Sequence, residues 1–212
     1  MVSDTATTTE RTTGVRKGRK FDQVLAGARE VFLRDGFEGA SVDDIAREAG
    51  VSKATLYSYF PDKRLLFMEV ASAQCRAQAS EALTTIDLTA PPRQILTQAG
   101  QMFLHFIYSD MGQRMFRICV AEADRFPEIG HEFYHSGPMV MRHAMIEYLS
   151  AAVERGDLKI DDMPLAADQF AELCKSDLHP KLLFGIQTSF SDAEITRIVD
   201  GAVDTFMARY GT

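Results

Sequence analysis

From Phe21 onward, apolar side chains recur every three or four residues. Phe21, Val24, Leu25, Ala28, Val31 and Phe32 share one helical face. Gly36 and Gly39 close that run. In the following "SVDD", Ser41 stands at an N-cap position with Asp44 three residues on, a capping-box arrangement. Val42, Ile45, Ala46 and Ala49 predict a short helix stopped by Gly50. Ser52 caps a second short helix, "KATLYSYF", which Pro61 ends. A longer amphipathic helix is predicted from about 62 to 83. After Pro91-Pro92 the same period predicts helices over about 93–108, 111–124, 127–155 with a break at Gly137-Pro138, 164–184 and 192–209. The stretches "ERGDLKIDDMP" and "FGIQTSFSD" read as connectors, and no segment alternates as a strand does. The expected fold is all-α, with a three-helix helix-turn-helix module before a larger helical bundle.

The last predicted helix has Ser191 and Glu194 spaced as a capping box. Its apolar stripe is broad: Ile195, Ile198, Val199, Ala202, Val203, Phe206 and Met207. Such a stripe covers either the core of its own subunit or a subunit interface.

At 212 residues, 46% hydrophobic and 25% charged, the composition is that of an ordinary soluble globular chain. No apolar run approaches the roughly 18 residues that span a bilayer. The opening "MVSDTATTTERTTGVRKGRK" has no apolar core of a secretory signal. Cys75, Cys119 and Cys174 are too few and too scattered for a disulfide framework. A cytoplasmic protein without a membrane partner is expected. The net charge of −7 is unevenly spread: residues 1–64 hold 11 Lys/Arg against 10 Asp/Glu, and the rest 12 against 20. Arg16, Lys17, Arg19 and Lys20 cluster by a Thr-rich arm, residues 1–18, which is expected to be disordered. A basic arm on an acidic body is either a polyanion contact or a solubilising tail.

Residues 41–60 carry the functional signal. Two short helices joined by "AGVS" have the dimensions of a helix-turn-helix. Ala46 is small where the helices cross, Gly50 permits the sharp turn, and Val51 fills the angle. On the second helix, Leu56 and Phe60 point inward. Ala54, Thr55 and Ser58 lie opposite, with Tyr57 flanking and Lys53 near the start. Hydroxyls, a lysine and small methyl-bearing groups suit the edges and phosphates of a DNA major groove. Short capped helices also occur in many all-α proteins, so spacing alone leaves a structural role open.

"GFEGASVDDIAREAGVSKATLYSYFPDKRLLFMEV", residues 36–70, resembles the amino-terminal module of tetracycline-repressor-type (TetR family) regulators. The shared marks are the G-F-x-x-x-S/T-V-x-x-I-A start, the A-G-V-S turn, T-L-Y-x-Y/H-F and the lysine two residues after Pro61. "FRICVAEADRFPEIGHEFYHSGP" and "ERGDLKIDDMPLAADQFAEL" resemble the AefR-like subset, so the likeness covers roughly residues 20–210. It departs at Ala54, where many members carry Gly, and at Tyr59, where His is commoner. The resemblance implies a ligand-responsive, non-enzymatic regulator, usually a repressor, with no cofactor. Its module would span residues 19–64, and residues 65–212 would form the ligand-binding and dimerisation domain. Ser41 would anchor a phosphate. Lys53, Thr55 and Tyr57 would supply recognition contacts beside Ser52 and Ala54, Tyr59 would meet the backbone, and Lys63 would hold a phosphate. The implied partners are a palindromic double-stranded DNA operator, a second copy docked through the last two helices, and a small apolar effector. Methionines and aromatic residues crowd the segment from 102 to 148, which suits an adaptable cavity. Phe67, Met102, Phe106, Met115, Phe116, Cys119, Tyr134, Met141 and Phe170 are its candidate lining.

One motif points elsewhere. "HEFYH", residues 131–135, matches the H-E-x-x-H by which zinc proteases hold metal and general base. The extended version of that motif would need Gly at 138 and His at 141, where Pro138 and Met141 stand. Glu154 is a distant substitute third ligand, with Gly137-Pro138 bending the chain in between. A helical metal-binding protein or zinc hydrolase is therefore the alternative reading, and partly exposed helix histidines the leading one.

Overall fold

The structure, a computed structural model, describes residues 18–85, 87 and 89–212. Arg16, Lys17 and the rest of the predicted arm up to residue 17 lie outside them. The chain divides into two compact units, one ending at Leu66 and the next beginning at Phe67. Among the described residues there is no strand. One isolated antiparallel bridge joins Leu158 and Gly211.

The first unit contains α1 (Arg19–Gly39), α2 (Val42–Glu48), α3 (Lys53–Tyr59) and the first residues of α4 (Lys63–Thr85). Arg19 and Lys20 belong to the first turn of α1, so this part of the basic cluster is helical. The predicted stripe is buried: Phe21, Val24, Ala28, Val31 and Phe32 form a core with Ile45, Ala46, Leu56 and Phe60. Gly36, at φ 70°, kinks α1 near its end. Gly27 sits where α1 packs against the end of α2. A Cβ there would lie 2.6–2.8 Å from the backbone nitrogen, Cα and Cβ of Ala49, so only glycine permits this approach.

The second unit holds the remainder of α4 with α5 (Pro92–Tyr108), α6 (Asp110–Glu122), α7 (Pro127–Ser136), α8 (Pro138–Glu154), α9 (Met163–Cys174), α10 (Leu178–Leu183) and α11 (Asp192–Tyr210). The stripe of α11 answers the question raised by its breadth. Ile195, Ile198, Val199, Ala202, Val203 and Phe206 are buried in this unit's own core, where α11 packs on α5 and α9. Gly100 on α5 brings the helices close, since a Cβ there would approach a Val199 methyl at 3.0 Å. The capping box at Ser191 and Glu194 is present in both halves.

One predicted element is corrected. Residues 164–184 do not form one helix but α9 and α10, separated by a turn in which Asp177 takes φ 64°. Pro180 explains the break, because it has no N–H to give the Ser176 carbonyl that a continuous helix would require. The periodicity continues across the turn because Leu178 and Leu182 still face the core.

Candidate functional site

The groove-facing candidates rest on two capped helices. Ser41 caps α2 by accepting from the Asp44 N–H at 3.0 Å, and its hydroxyl donates to the Asp44 carboxylate. Asp44 also pairs with Arg47, and these contacts, Ser41 first, hold its carboxyl below the usual pKa. Gly50, at φ 63°, makes the turn, and the Val51 N–H donates to the Ala46 carbonyl at 3.0 Å. Ser52 then caps α3 by accepting from the Thr55 N–H at 3.1 Å, with its hydroxyl 2.9 Å from that of Thr55. The Ser58 hydroxyl donates to the Thr55 carbonyl.

Helix α3 is thereby fixed on one side and open on the other. Leu56 is fully buried and Phe60 nearly so, whereas Ser52, Lys53, Ala54, Tyr57 and Ser58 are exposed and Thr55 is half-buried. The Lys53 ammonium pairs with the Asp43 carboxylate on α2. Both side chains are solvated, so the pair contributes only about 0–1 kcal/mol and yields readily to a phosphate. Tyr59 is set apart from the open face: its half-buried ring meets Phe21 edge-on at 5.6 Å and helps seat α1.

Lys63 is placed differently from a free phosphate ligand. Its ammonium donates to the Phe37 carbonyl at 2.8 Å and the Ala40 carbonyl at 3.0 Å, and lies 4.4 Å from the centre of the Phe37 ring. Two of its three donors are engaged in tying the start of α4 to the end of α1. Spacing gives no hint of this, because the acceptors lie 23 and 26 residues upstream.

The second unit contains a cavity of about 150 Å³ between α5, α6, α7, the start of α8 and the α9–α10 region. Phe103, Phe106, Ile107, Met115, Phe116, Phe133, Leu182 and Leu183 give it an apolar wall. Gln113, Arg117, Lys175 and His179 are its polar members. Of the nine sequence candidates, Phe106, Met115 and Phe116 line it. Six lie elsewhere: Met102, Tyr134 and Met141 are exposed on their helices, Phe170 is packed against Phe206 in the core, Phe67 is buried, and Cys119 is buried with its thiol against the Met68 sulfur. Sequence reasoning misses Lys175 and His179, because the helical period runs unbroken through the turn between α9 and α10.

The "HEFYH" residues lie on α7. The rings of His131 and His135 are 6.5 Å apart and nearly parallel. Glu132, the residue that would act as general base, is instead ion-paired with Arg76 at 2.7 Å. Among the described residues, no group of three His, Cys, Asp or Glu side chains is arranged to hold a metal ion. α7 ends at Ser136 and α8 starts at Pro138, so the chain does break before Glu154.

Comparison with known proteins identifies the architecture. Residues 24–70 match the family model for bacterial regulatory proteins of the tetR family, and residues 94–212 match the C-terminal domain of AefR-like transcriptional repressors. The chain belongs to the TetR family. The members that its family models describe are DNA-binding transcriptional regulators. The HTH-type transcriptional activator FasR of Mycolicibacterium smegmatis is 34% identical over 121 residues, which is 51% of this chain and 55% of FasR. The chain thus spans about half the length of such curated relatives. A TetR-family regulator from Mesorhizobium loti superposes with a TM-score of 0.78 at 27% identity, covering 94% of this chain and all of that one. The flavonoid-responsive regulator FrrA gives 0.69 at 32% identity over 92% of this chain and 98% of its own. No helix among the described residues is long and apolar enough to cross a membrane.

Proposed function

We propose that this TetR-family protein is a homodimeric repressor that binds a near-palindromic operator and is released by a small apolar effector. Residues 19–64 act as the DNA-binding domain, and residues 65–212 bind the effector and a second copy, through the last two helices. The protein works in the cytoplasm, beside the chromosome. The observation that carries the reading is the open face of α3, held by the Ser52 cap and the buried Leu56. On it, Lys53, Ala54, Thr55 and Tyr57 meet base edges or phosphates in the major groove, with Ser52 at the helix start. Two such helices one helical turn apart, about 34–36 Å, read the two half-sites. Ser41 and Lys63 serve by positioning the module, because each is already engaged within it.

Effector control follows from contacts along α4. In the second unit, Ser136 of α7 donates to Ser72 at 3.0 Å in a buried contact, and Arg76 pairs with Glu132. Phe133, which lines the cavity, lies between those two α7 residues in sequence. A ligand that moves α7 therefore bears on α4, whose first residue is Lys63. An effector with higher affinity for the displaced arrangement shifts the population away from the DNA-binding one, and DNA weakens effector binding by the same factor. Since the apolar stripe of α11 is buried, its dimer contacts come from its outer face, which includes Arg197, Asp200, Gly201 and Asp204.

The test is a pull-down of random genomic fragments followed by sequencing and gel shift. A shared near-palindromic site bound by a dimer is the expected result. Failure to bind any duplex at low ionic strength, or a monomer at micromolar concentration, overturns the proposal.

A further inference from the structure

We infer that the cavity of the second unit takes a single-ring aromatic carboxylate, with its ring against Phe106, Phe116 and Phe133 and its carboxylate toward Arg117, Lys175 and His179. This rests on the reading of the chain as an effector-controlled regulator and names the effector's chemical class.

Three features converge on that class. The first is size: an apolar cavity of about 150 Å³ holds one benzene-sized ring. The second is the wall. Phe116 stands at the centre of an edge-to-face set, 6.3 Å from Phe133 at 64° and 5.8 Å from His179 at 71°. Rings arranged in this way receive a further ring at offset or edge-on geometry, which a flexible alkyl chain does not match.

The third feature is charge. Residues 65–212 carry an acidic excess of eight, yet the lining contains Arg117 and Lys175 and no Asp or Glu. The Arg117 guanidinium has a long contact, 3.4 Å, to the Leu182 carbonyl, and Lys175 pairs with Glu172, which is exposed and outside the lining. Both cations can therefore turn to a carboxylate at little cost. His179 adds a hydrogen-bonding group. Burial, with Lys175 beside it, pushes its pKa below the usual value. Its buried Nδ1 has no protein partner.

The experiment uses the full-length protein, calorimetric titration with benzoate, benzyl alcohol and hexanoate, and a gel shift on the recovered operator in the same samples. Benzoate binding at least tenfold tighter than either comparator, with release of the operator, is the expected result. Arg117→Gln and Lys175→Gln, both at solvent-accessible positions, should each weaken benzoate about tenfold and leave benzyl alcohol unchanged. Equal binding of benzyl alcohol overturns the carboxylate assignment, and equal or tighter hexanoate overturns the aromatic one. A protein that shifts the operator but ignores millimolar benzoate overturns the effector class alone, whereas one that shifts no DNA overturns the regulator reading beneath it.

Discussion

In the first unit, the polar side chains of interest stand outward on α3: Ser52, Thr55 and Ser58 are held by partners three residues away, and Lys53 by Asp43 on the adjoining α2. In the second, the polar side chains at the cavity come from α6, from Lys175 at the end of α9 and from His179 on α10, some 60 residues apart in sequence, and stand beside an aromatic wall. A surface made by local rules is rigid before its partner arrives. A cavity assembled from several elements depends on their packing, so small movements of those elements alter it. The difference fits a division of labour in which one unit keeps a fixed reading surface and the other responds.

The strongest way to break this comparison is to remove the anchor of α3. Leu56→Ala should cost about 2–5 kcal/mol and abolish operator binding, as read by urea unfolding and gel shift. If DNA binding survives, α3 is not the rigid reader. Gly27→Val should cost about 1–3 kcal/mol by forcing α1 from Ala49, again with loss of operator binding.

Smaller effects separate surface from scaffold. Tyr57→Ala should lower operator affinity about tenfold, equivalent to about 1.4 kcal/mol, without shifting the melting temperature. Lys53→Met and Lys63→Met should part company. The first should reduce the salt slope of operator binding by about 0.9 for each phosphate that Lys53 neutralises, while the second should lower stability and leave the slope unchanged. A reduced slope in Lys63→Met would return that residue to the DNA interface.

The smallest expected effect lies in the second unit and depends on pH. Hydrogen bonds from Gln187 and from the Ser191 backbone and hydroxyl hold the Glu194 carboxyl at about 2 against an ordinary value of 4.5. Its stabilisation is therefore complete above the ordinary value and is lost as pH falls toward 2. Urea unfolding of the wild type and Glu194→Gln should differ near neutrality and converge toward pH 2. DNA binding at neutral pH should not distinguish them.

Residue type and spacing suffice for what short-range rules control. Caps at Ser41, Ser52 and Ser191, the turn at Gly50 and the inward pair Leu56 and Phe60 all follow from contacts within one or two helical turns. Each is legible from residue type and spacing. What distant segments do to each other emerges with the packing of the folded chain. That packing turned Lys63 toward two carbonyls more than 20 residues away, buried the α11 stripe in its own unit, and paired Glu132 with Arg76. It also brought Lys175 and His179 to the cavity across a break that periodicity conceals, and left Met102, Tyr134 and Met141 facing solvent. Helical periodicity reports which face of an element is apolar, but not which neighbour covers it.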